Sequence, residues 1–115
     1  MTNSQTAASG LRMAIAQQPM QWTTAEDVER IIAALAAASD QGARVGVFPE
    51  LSLTGFHRGI REQSAPDLVD SALARIQDAC HAHVIACALA APTHLDDGAI
   101  LNSYLLLGAS GEVLD

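Results

Sequence analysis

Residues 44–56 read RVGVFPELSLTGF, and this stretch indicates how the chain folds. Its first part, Arg44 to Phe48, is a short apolar run typical of a buried strand. Pro49 ends that run, because proline has no backbone N–H to donate to a neighbouring strand. A carboxylate, Glu50, follows at once. The segment therefore predicts a buried strand with an acidic side chain at its carboxyl end.

The residues before this strand predict the first half of a βαβ unit. Residues 11–17 form a compact, partly alternating run that predicts a first strand. Thr23 and Glu26 have the spacing of a helix capping box, and Gly42 is a suitable helix end. Two strands joined by such a helix favour parallel neighbours with a right-handed crossover. The apolar residues at helical steps between the two ends are Val28, Ile31, Ile32, Leu35 and Ala38.

The residues after the strand predict a long irregular loop over 51–65 and a second helix from Pro66. A third, buried strand is expected over 83–89, followed by a turn region over 92–98 and a fourth strand over 99–107. The second helix should bury a face made of Val69, Ala72, Leu73, Ile76 and Cys80. This order of elements predicts an α/β fold with layers of helix and sheet.

The two ends of the chain set the predicted domain boundaries. Residues 1–10 are polar, without a basic start and a long apolar stretch, so we expect a disordered lead-in that is not a signal peptide. A second turn at Ser110-Gly111 leads into residues 112–115, where the chain stops as a strand begins. Residues 11–115 are therefore interpreted as one incomplete domain, and the chain as a fragment.

Composition excludes several classes of function. Half of the residues are hydrophobic and 17% are charged, as in a folded chain. The net charge of −7 and the scattered arginines argue against nucleic-acid binding. No apolar run approaches the roughly 20 residues that span a bilayer. Two cysteines do not form a disulfide framework, so a reducing cytoplasm is the expected compartment.

Glu50 is the candidate catalytic residue. Ligand crevices of α/β folds form at the carboxyl ends of strands, where this sequence places Glu50. The neighbouring side chains of Phe48, Leu51 and Leu53 are expected to desolvate the carboxylate and so favour its protonated form, as suits a general base. The residues alone leave a second interpretation open, in which Glu50 is a solvated loop glutamate.

The segment from Phe48 to Phe56 resembles the FPE-l-s-l-t-G-Y signature of the nitrilase superfamily, the carbon–nitrogen hydrolases. Weaker similarities occur in the same order along the chain. These are the opening strand at 13–17, Trp22, Gly42-Ala43, the hairpin residues Asp97-Gly98 with Asn102-Ser103, and the segment from Gly108 to Leu114. The resemblance covers nearly everything after Gly10.

This resemblance implies the N-terminal part of an αββα four-layer sandwich and a Glu–Lys–Cys triad that needs no metal or cofactor. Glu50 matches the glutamate, the proton-transfer residue of the triad. The family cleaves or condenses non-peptide C–N bonds of small-molecule amides, nitriles or carbamoyl compounds. Neither other triad member matches: the chain contains no lysine, and its two cysteines lie outside the family's nucleophile motif. Phe56 replaces the usual tyrosine and is either a substrate contact or a core aromatic.

The remaining polar candidates have weaker support. The pair His81 and His83 is expected on one face of a strand without a third metal ligand, so we predict no metal site. We expect His57 and Arg58 to lie in a plain exposed loop, although either could contact a substrate carboxylate. His94, Asp96 and Asp97 predict a solvated turn, and Cys80 and Cys87 predict buried, inert core thiols.

Two functional hypotheses follow. In the first, the chain is the N-terminal part of a carbon–nitrogen hydrolase and is inactive alone, because the lysine and the nucleophilic cysteine are missing. In the second, it is a degenerate, non-catalytic module that binds or assembles with a partner. The first predicts exposed apolar surface and a tendency to associate, and a homo-oligomer is the expected state.

Overall fold

The computed structural model describes residues 10–115 and shows one four-stranded sheet. The lead-in predicted for residues 1–10 lies outside the described residues except for Gly10. The sheet has the order β1-β2-β3-β4, with β1, β2 and β3 parallel and β4 antiparallel to β3. The predicted α/β class and parallel βαβ start are confirmed. The strands are β1 Met13–Ile15, β2 Val45–Val47, β3 Ala86–His94 and β4 Ile100–Leu107.

Helix α1, Thr24–Asp40, begins and ends where the sequence predicts. The Glu26 N–H donates to Thr23 Oγ1 at 3.1 Å. The Glu26 side chain does not reach back to the Thr23 backbone; it accepts instead from the Thr23 hydroxyl at 2.9 Å. After the helix, Gly42 has a φ of +84°, a conformation that glycine adopts without steric cost. These local features mark the two ends of α1.

Helix α3, Pro66–His83, differs from the prediction at its end, as does the strand that follows. The helix includes His83, and β3 starts only at Ala86. Val84 ends the helix in the left-handed conformation, with a φ of +53°. A third, short helix, α2, occupies Ile60–Gln63 within the segment predicted as an irregular loop.

Strand β3 continues through Pro92 to His94, so the predicted turn over 92–98 was placed too early. The carbonyls of Ala88 and Ala90 bond to Phe48 and Leu53, on the side of β3 away from β4. Since backbone groups alternate with a period of two, Pro92 presents its nitrogen to that same side, beyond the end of β2. No ladder bond is lost there, and proline is tolerated. The hairpin turn itself contains Asp97-Gly98, as predicted.

One face of the sheet is covered by α1 and α3 and holds the core. Gly46 of β2 lies against α1, where an added Cβ would be 3.0 Å from Leu35 Cδ2. The predicted helix faces are confirmed, with Ile32, Ala38 and Leu73 only partly buried. The large side chains buried completely in this layer are Ile31, Leu35, Ile76, Ile85, Leu89 and Leu107.

The opposite face of the sheet is largely open. Side chains on a strand alternate between faces, and Leu105 and Leu107 pack into the core, so Tyr104 and Leu106 point the other way. In β1, Met13 and Ile15 are 54% and 75% exposed, and Tyr104 and Leu106 of β4 are 54% and 40% exposed. The expected exposed apolar surface is present, and it lies on this open face.

Candidate active site

Glu50 lies at the carboxyl end of β2 in a tight turn formed by residues 49–55. The Ser52 N–H donates to the Pro49 carbonyl at 3.2 Å, and the Gly55 N–H donates to the Leu51 carbonyl at 2.8 Å. Leu51 has a φ of +53°, which is uncommon for a residue with a side chain. Such backbone outliers cluster at functional sites. The residue beside the candidate base is therefore held in an unfavourable conformation.

Gly55 closes this turn against the segment before α1. Its φ is +76°, and an added Cβ would lie 2.7 Å from Met20 Cγ and 2.8 Å from the Gln21 carbonyl oxygen. A larger residue would have to displace backbone as well as adopt a strained conformation. Glycine at this position therefore lets the turn that carries Glu50 pack directly on residues 20–21.

Two side chains of β4 reach the segment that carries Glu50. Asn102 Nδ2 donates to Glu50 Oε2 at 2.9 Å. The Tyr104 hydroxyl donates to the Phe48 carbonyl. Asn102 was identified from the sequence only as a family similarity, and neither contact was predicted. Their spacing of two residues on a predicted strand was the available signal, because it places both side chains on one face.

The expected desolvation of Glu50 by its neighbours is wrong. Phe48, Leu51 and Leu53 are buried, with exposed fractions of 2%, 7% and 0%. Glu50 itself is exposed. Phe48 and Leu53 pack in the core and Leu51 lines the cleft beside Glu50, so none of the three covers the carboxylate. Any apolar cover for Glu50 must come from outside the described residues.

A cleft of about 160 Å³ opens beside the Glu50 turn. Its lining includes Gln18, Met20, Asp27, Glu50, Ser52 and Phe56. Phe56 is 78% exposed, so the alternative that made it a core aromatic is wrong. The aromatic ring lies where a molecule entering the cleft would meet it.

Asp27 is a second carboxylate at this cleft, and sequence reasoning missed it. The side chain is 5% exposed; the Gln21 N–H donates to its Oδ1 at 3.2 Å, and its Oδ2 has no partner among residues 10–115. Burial raises the pKa of Asp27 to about 6. Its burial could have been predicted from the sequence, because Asp27 precedes Ile31 and Leu35 at four-residue steps on the buried face of α1.

His57 is not part of a plain exposed loop, as the sequence suggested, although Arg58 is exposed. The Gly59 N–H donates to His57 Nδ1 at 3.0 Å. The ring proton is therefore assigned to Nε2, which donates to the Thr54 carbonyl at 3.1 Å. The ring also lies 4.7 Å from that of Trp22. His57 thus braces the end of the Glu50 turn.

The other histidines do not form a site. His81 and His83 lie in the last turn of α3, not on a strand, so the two rings do not share a face. His94 is the last residue of β3, and Asp97 accepts from the Ala99 N–H in the hairpin turn. Across residues 10–115, no group of three His, Cys, Asp or Glu side chains is arranged to bind a metal ion. None of the helices in that range has the length and apolarity needed to cross a membrane.

Cys80 and Cys87 are both fully buried, and they lie side by side between α3 and β3. A hydrogen bond with Cys80, together with burial, raises the pKa of the Cys87 thiol. The prediction of buried core thiols is confirmed, but their contact was not foreseen. Neither sulfur lines the cleft beside Glu50.

A comparison with known proteins shows the family to which the chain belongs. A model of the carbon-nitrogen hydrolase family matches residues 12–115. The chain belongs to the carbon–nitrogen hydrolase family. No curated protein matches the chain. The proposed resemblance is confirmed, and it extends from β1 to the last residue of the sequence.

Solved structures of an amidase from Nesterenkonia sp. share the fold of this carbon–nitrogen hydrolase chain. One is 28% identical with a TM-score of 0.79, and covers 91% of this chain and 41% of that one. A glutamate-to-glutamine mutant of the amidase from strain AN1, with acrylamide added at its active-site cysteine, is 27% identical, with a TM-score of 0.80 and coverages of 92% and 42%. A cysteine-to-alanine mutant in complex with butyramide is 28% identical, with a TM-score of 0.79 and coverages of 90% and 41%.

The chain spans about two-fifths of the length of these amidases. The predicted fold, an N-terminal part of a nitrilase-like α/β sandwich, is confirmed by this partial coverage. The helix-covered sheet supplies one helical layer and one sheet layer of that sandwich. Its open face is the side on which a second sheet layer would pack.

Proposed function

We propose that Glu50 is the general base of a small-molecule amide hydrolase whose lysine and nucleophilic cysteine come from polypeptide beyond residue 115. The observation that supports this most is the placement of Glu50, on a strained turn at the carboxyl edge of the sheet, with Asn102 bonded to its carboxylate. The family match and the amidase neighbours supply the chemistry to which such a carboxylate is suited.

In the proposed reaction, Glu50 accepts the proton of the cysteine thiol as the sulfur attacks the amide carbon. The lysine ammonium stabilises the negative oxygen of the tetrahedral intermediate. Collapse of this intermediate breaks the C–N bond, and the leaving amine takes the proton back from Glu50. A thioester remains. Water then attacks the thioester carbon and Glu50 accepts the water proton. The C–S bond breaks, Glu50 returns this proton to the departing thiolate, and the acid is released.

We propose that residues 1–115 alone do not catalyse this reaction. The sequence contains no lysine, and both of its cysteines are buried away from the cleft. The exposed Glu50 carboxylate also lacks the dry surroundings that strengthen electrostatic catalysis. The missing part of the sandwich would supply all three.

The substrate class proposed is a small amide, with nitriles and carbamoyl compounds as related possibilities within the family chemistry. Phe56, at the mouth of the cleft, is proposed as an apolar contact for the substrate. No metal or cofactor enters the proposed mechanism. We further propose that the enzyme is cytoplasmic and forms a homo-oligomer. In residues 1–115 alone, the uncovered apolar face favours association of the chain with itself.

The test is ammonia release from butyramide by the full natural polypeptide that contains this chain. We expect Glu50→Gln to lower kcat by at least about 100-fold, because glutamine cannot accept the proton. Glu62→Gln is the matched control, since Glu62 is an exposed glutamate on α2 outside the cleft. The same assay on residues 1–115 should show no turnover.

Three results would contradict the proposal. An unchanged kcat in Glu50→Gln would show that Glu50 is not the base. Equal losses in Glu50→Gln and Glu62→Gln would indicate a general effect on folding. Turnover by residues 1–115 alone would overturn the assignment of the nucleophile to another part of the polypeptide.

A second candidate function is a non-catalytic module that completes its sheet with a partner. The observation that favours it is the open apolar face around Ile15 and Leu106. The two candidates differ in one measurement: intact mass of the natural product. A product that ends at Asp115 supports the module, and a longer product containing a lysine and a further cysteine supports the enzyme.

A further inference from the structure

We infer that Asn102 is a positioning residue for the carboxylate of Glu50, and that Tyr104 fixes the backbone on which Glu50 is mounted. This inference rests on the proposed function, because it concerns how the proposed base is aimed. Both residues lie on β4, although Glu50 follows β2. Strand β3 lies between them in the sheet. The contacts therefore cross a whole strand.

The register of the sheet explains how the two side chains reach so far. Asn102 pairs with Pro92 and Tyr104 pairs with Ala90 across the β3–β4 ladder. Both project from the open face, with Ala90 opposite Tyr104 and Pro92 opposite Asn102. The long tyrosine side chain passes over the small Ala90 and donates to the Phe48 carbonyl. Asn102 is shorter, and it meets the long side chain of Glu50.

The Asn102 bond restricts a side chain that has no other constraint in the described part of the chain. Glu50 is exposed, and no second side chain among residues 10–115 bonds its carboxylate. A free glutamate samples many rotamers, and aiming it costs conformational entropy. Asn102 occupies Oε2 and leaves Oε1 free to accept a proton. Oε2 is thus held in place by Asn102, and Oε1 accepts the proton in the proposed reaction.

Asparagine suits this role because it donates a hydrogen bond without adding charge. An aspartate of the same size would place a second negative charge beside Glu50 and remove the donor at neutral pH. An alanine would remove the donor alone. These two substitutions therefore separate the effect of the missing bond from the effect of repulsion.

The experiment measures kcat and KM for butyramide in the full natural polypeptide. Asn102→Ala should lower kcat by about 10- to 100-fold with KM changed less than about threefold, since misaligned groups lose rate more than binding. Asn102→Asp should have a lower kcat than Asn102→Ala at pH 8, and the difference should shrink as the pH falls, because a protonated aspartate can donate again. Asn102→Gln keeps the hydrogen-bond donor and should have a higher kcat than Asn102→Ala. Tyr104→Phe should show a smaller loss in kcat.

Ser103→Ala is the matched control. Ser103 neighbours Asn102 on β4 but faces the other way, where its hydroxyl bonds Thr93 Oγ1 at 2.7 Å. The kcat of the Ser103→Ala variant should stay within about twofold of the wild-type value. A direct readout of the contact is the side-chain amide resonance of Asn102 in ¹⁵N NMR, which should move in Glu50→Gln and stay in place in Glu62→Gln.

The outcomes separate this inference from the function on which it rests. A wild-type polypeptide that releases no ammonia would overturn the proposed function, whatever the Asn102 variants do. An active wild type whose kcat is unaffected by Asn102→Ala, or equally reduced by Ser103→Ala, would overturn the positioning role alone. An Asn102 side-chain amide resonance that does not shift in Glu50→Gln would also overturn the positioning role.

Discussion

The two faces of the sheet differ in how completely this chain covers them. The helix-covered face contains side chains such as Leu35, Ile76 and Leu89, all with no exposed surface. On the open face, Met13 and Ile15 remain more than half exposed. Burial of apolar surface is the main stabilising contribution in folding. The covered face therefore stabilises the chain, and the open face is the side on which Glu50, Asn102 and Tyr104 meet.

The largest expected effect compares two isoleucines, one on each side of the fold. Ile76 of α3 is 0% exposed and Ile15 of β1 is 75% exposed. We expect Ile76→Ala to lower the free energy of unfolding by about 2–5 kcal/mol. Ile15→Ala should change it by less than about 0.5 kcal/mol. Urea unfolding followed by circular dichroism measures both, and similar losses would mean that the open face is covered after all.

The second prediction concerns Asp27, the buried carboxylate of the cleft. Its pKa is raised from 3.8 to about 6 by burial, so the folded state holds a proton that the unfolded state releases. The contribution of Asp27 to stability is then greatest below pH 3.8, falls as the pH rises from 3.8 to about 6, and is lost above that. The loss amounts to about 3 kcal/mol at most, from the size of the shift.

Replacing Asp27 by asparagine should flatten this part of the stability–pH curve between pH 4 and pH 7, measured by urea unfolding at each pH. Asp27→Ala should flatten the curve too, but lower stability at every pH because the Gln21 N–H loses its acceptor. A wild-type curve that rises over this range, with Asp27→Asn parallel to it, would contradict the raised pKa.

The third prediction compares two glycines with similar backbone conformations. Gly55 and Gly98 have φ values of +76° and +89°, but an added Cβ meets Met20 and Gln21 only at Gly55. We expect Gly98→Ala to cost about 1 kcal/mol from strain alone. Gly55→Ala should cost about 1–3 kcal/mol more, because it also overpacks the Glu50 turn. Equal shifts of the urea midpoint would show that this turn is loosely packed.

The smallest effect on stability is expected for charged residues placed on the open face. Ile15→Glu with Leu106→Glu should leave the unfolding midpoint nearly unchanged, since both side chains are already partly exposed. Self-association of residues 1–115 in analytical ultracentrifugation should decrease. Association that persists would place the contact elsewhere on the chain.

Local patterns predicted the elements whose ends depend on neighbouring residues. The Thr23 cap, the buried stripe of α1 and the turn at Gly98 all follow from short-range geometry, and the structure has them where expected. The boundaries of β3 were wrong because they depend on distant partners. Pro92 is allowed in that strand only because β2 ends before reaching it.

The features of the candidate site also divide into those predicted from local sequence and those that depend on distant residues. The position of Glu50 at the end of a strand followed from the order of residues in its own segment. Its exposure and the contact with Asn102 did not, because they depend on which way the turn faces and on a strand 52 residues away in sequence. Asp27 was not predicted as a site residue, although its four-residue spacing from Ile31 placed it on the buried side of α1.

For this protein, the amino-acid order alone established the α/β class, the family and the identity of the candidate base. These properties arise from periodicity, caps, turn residues and a short motif, all of which act within a few residues. The tertiary structure alone decided that one face of the sheet stays open, that Glu50 is exposed, and that β4 supplies its partner. Packing and register bring together residues far apart in the chain, and no local pattern encodes such a meeting.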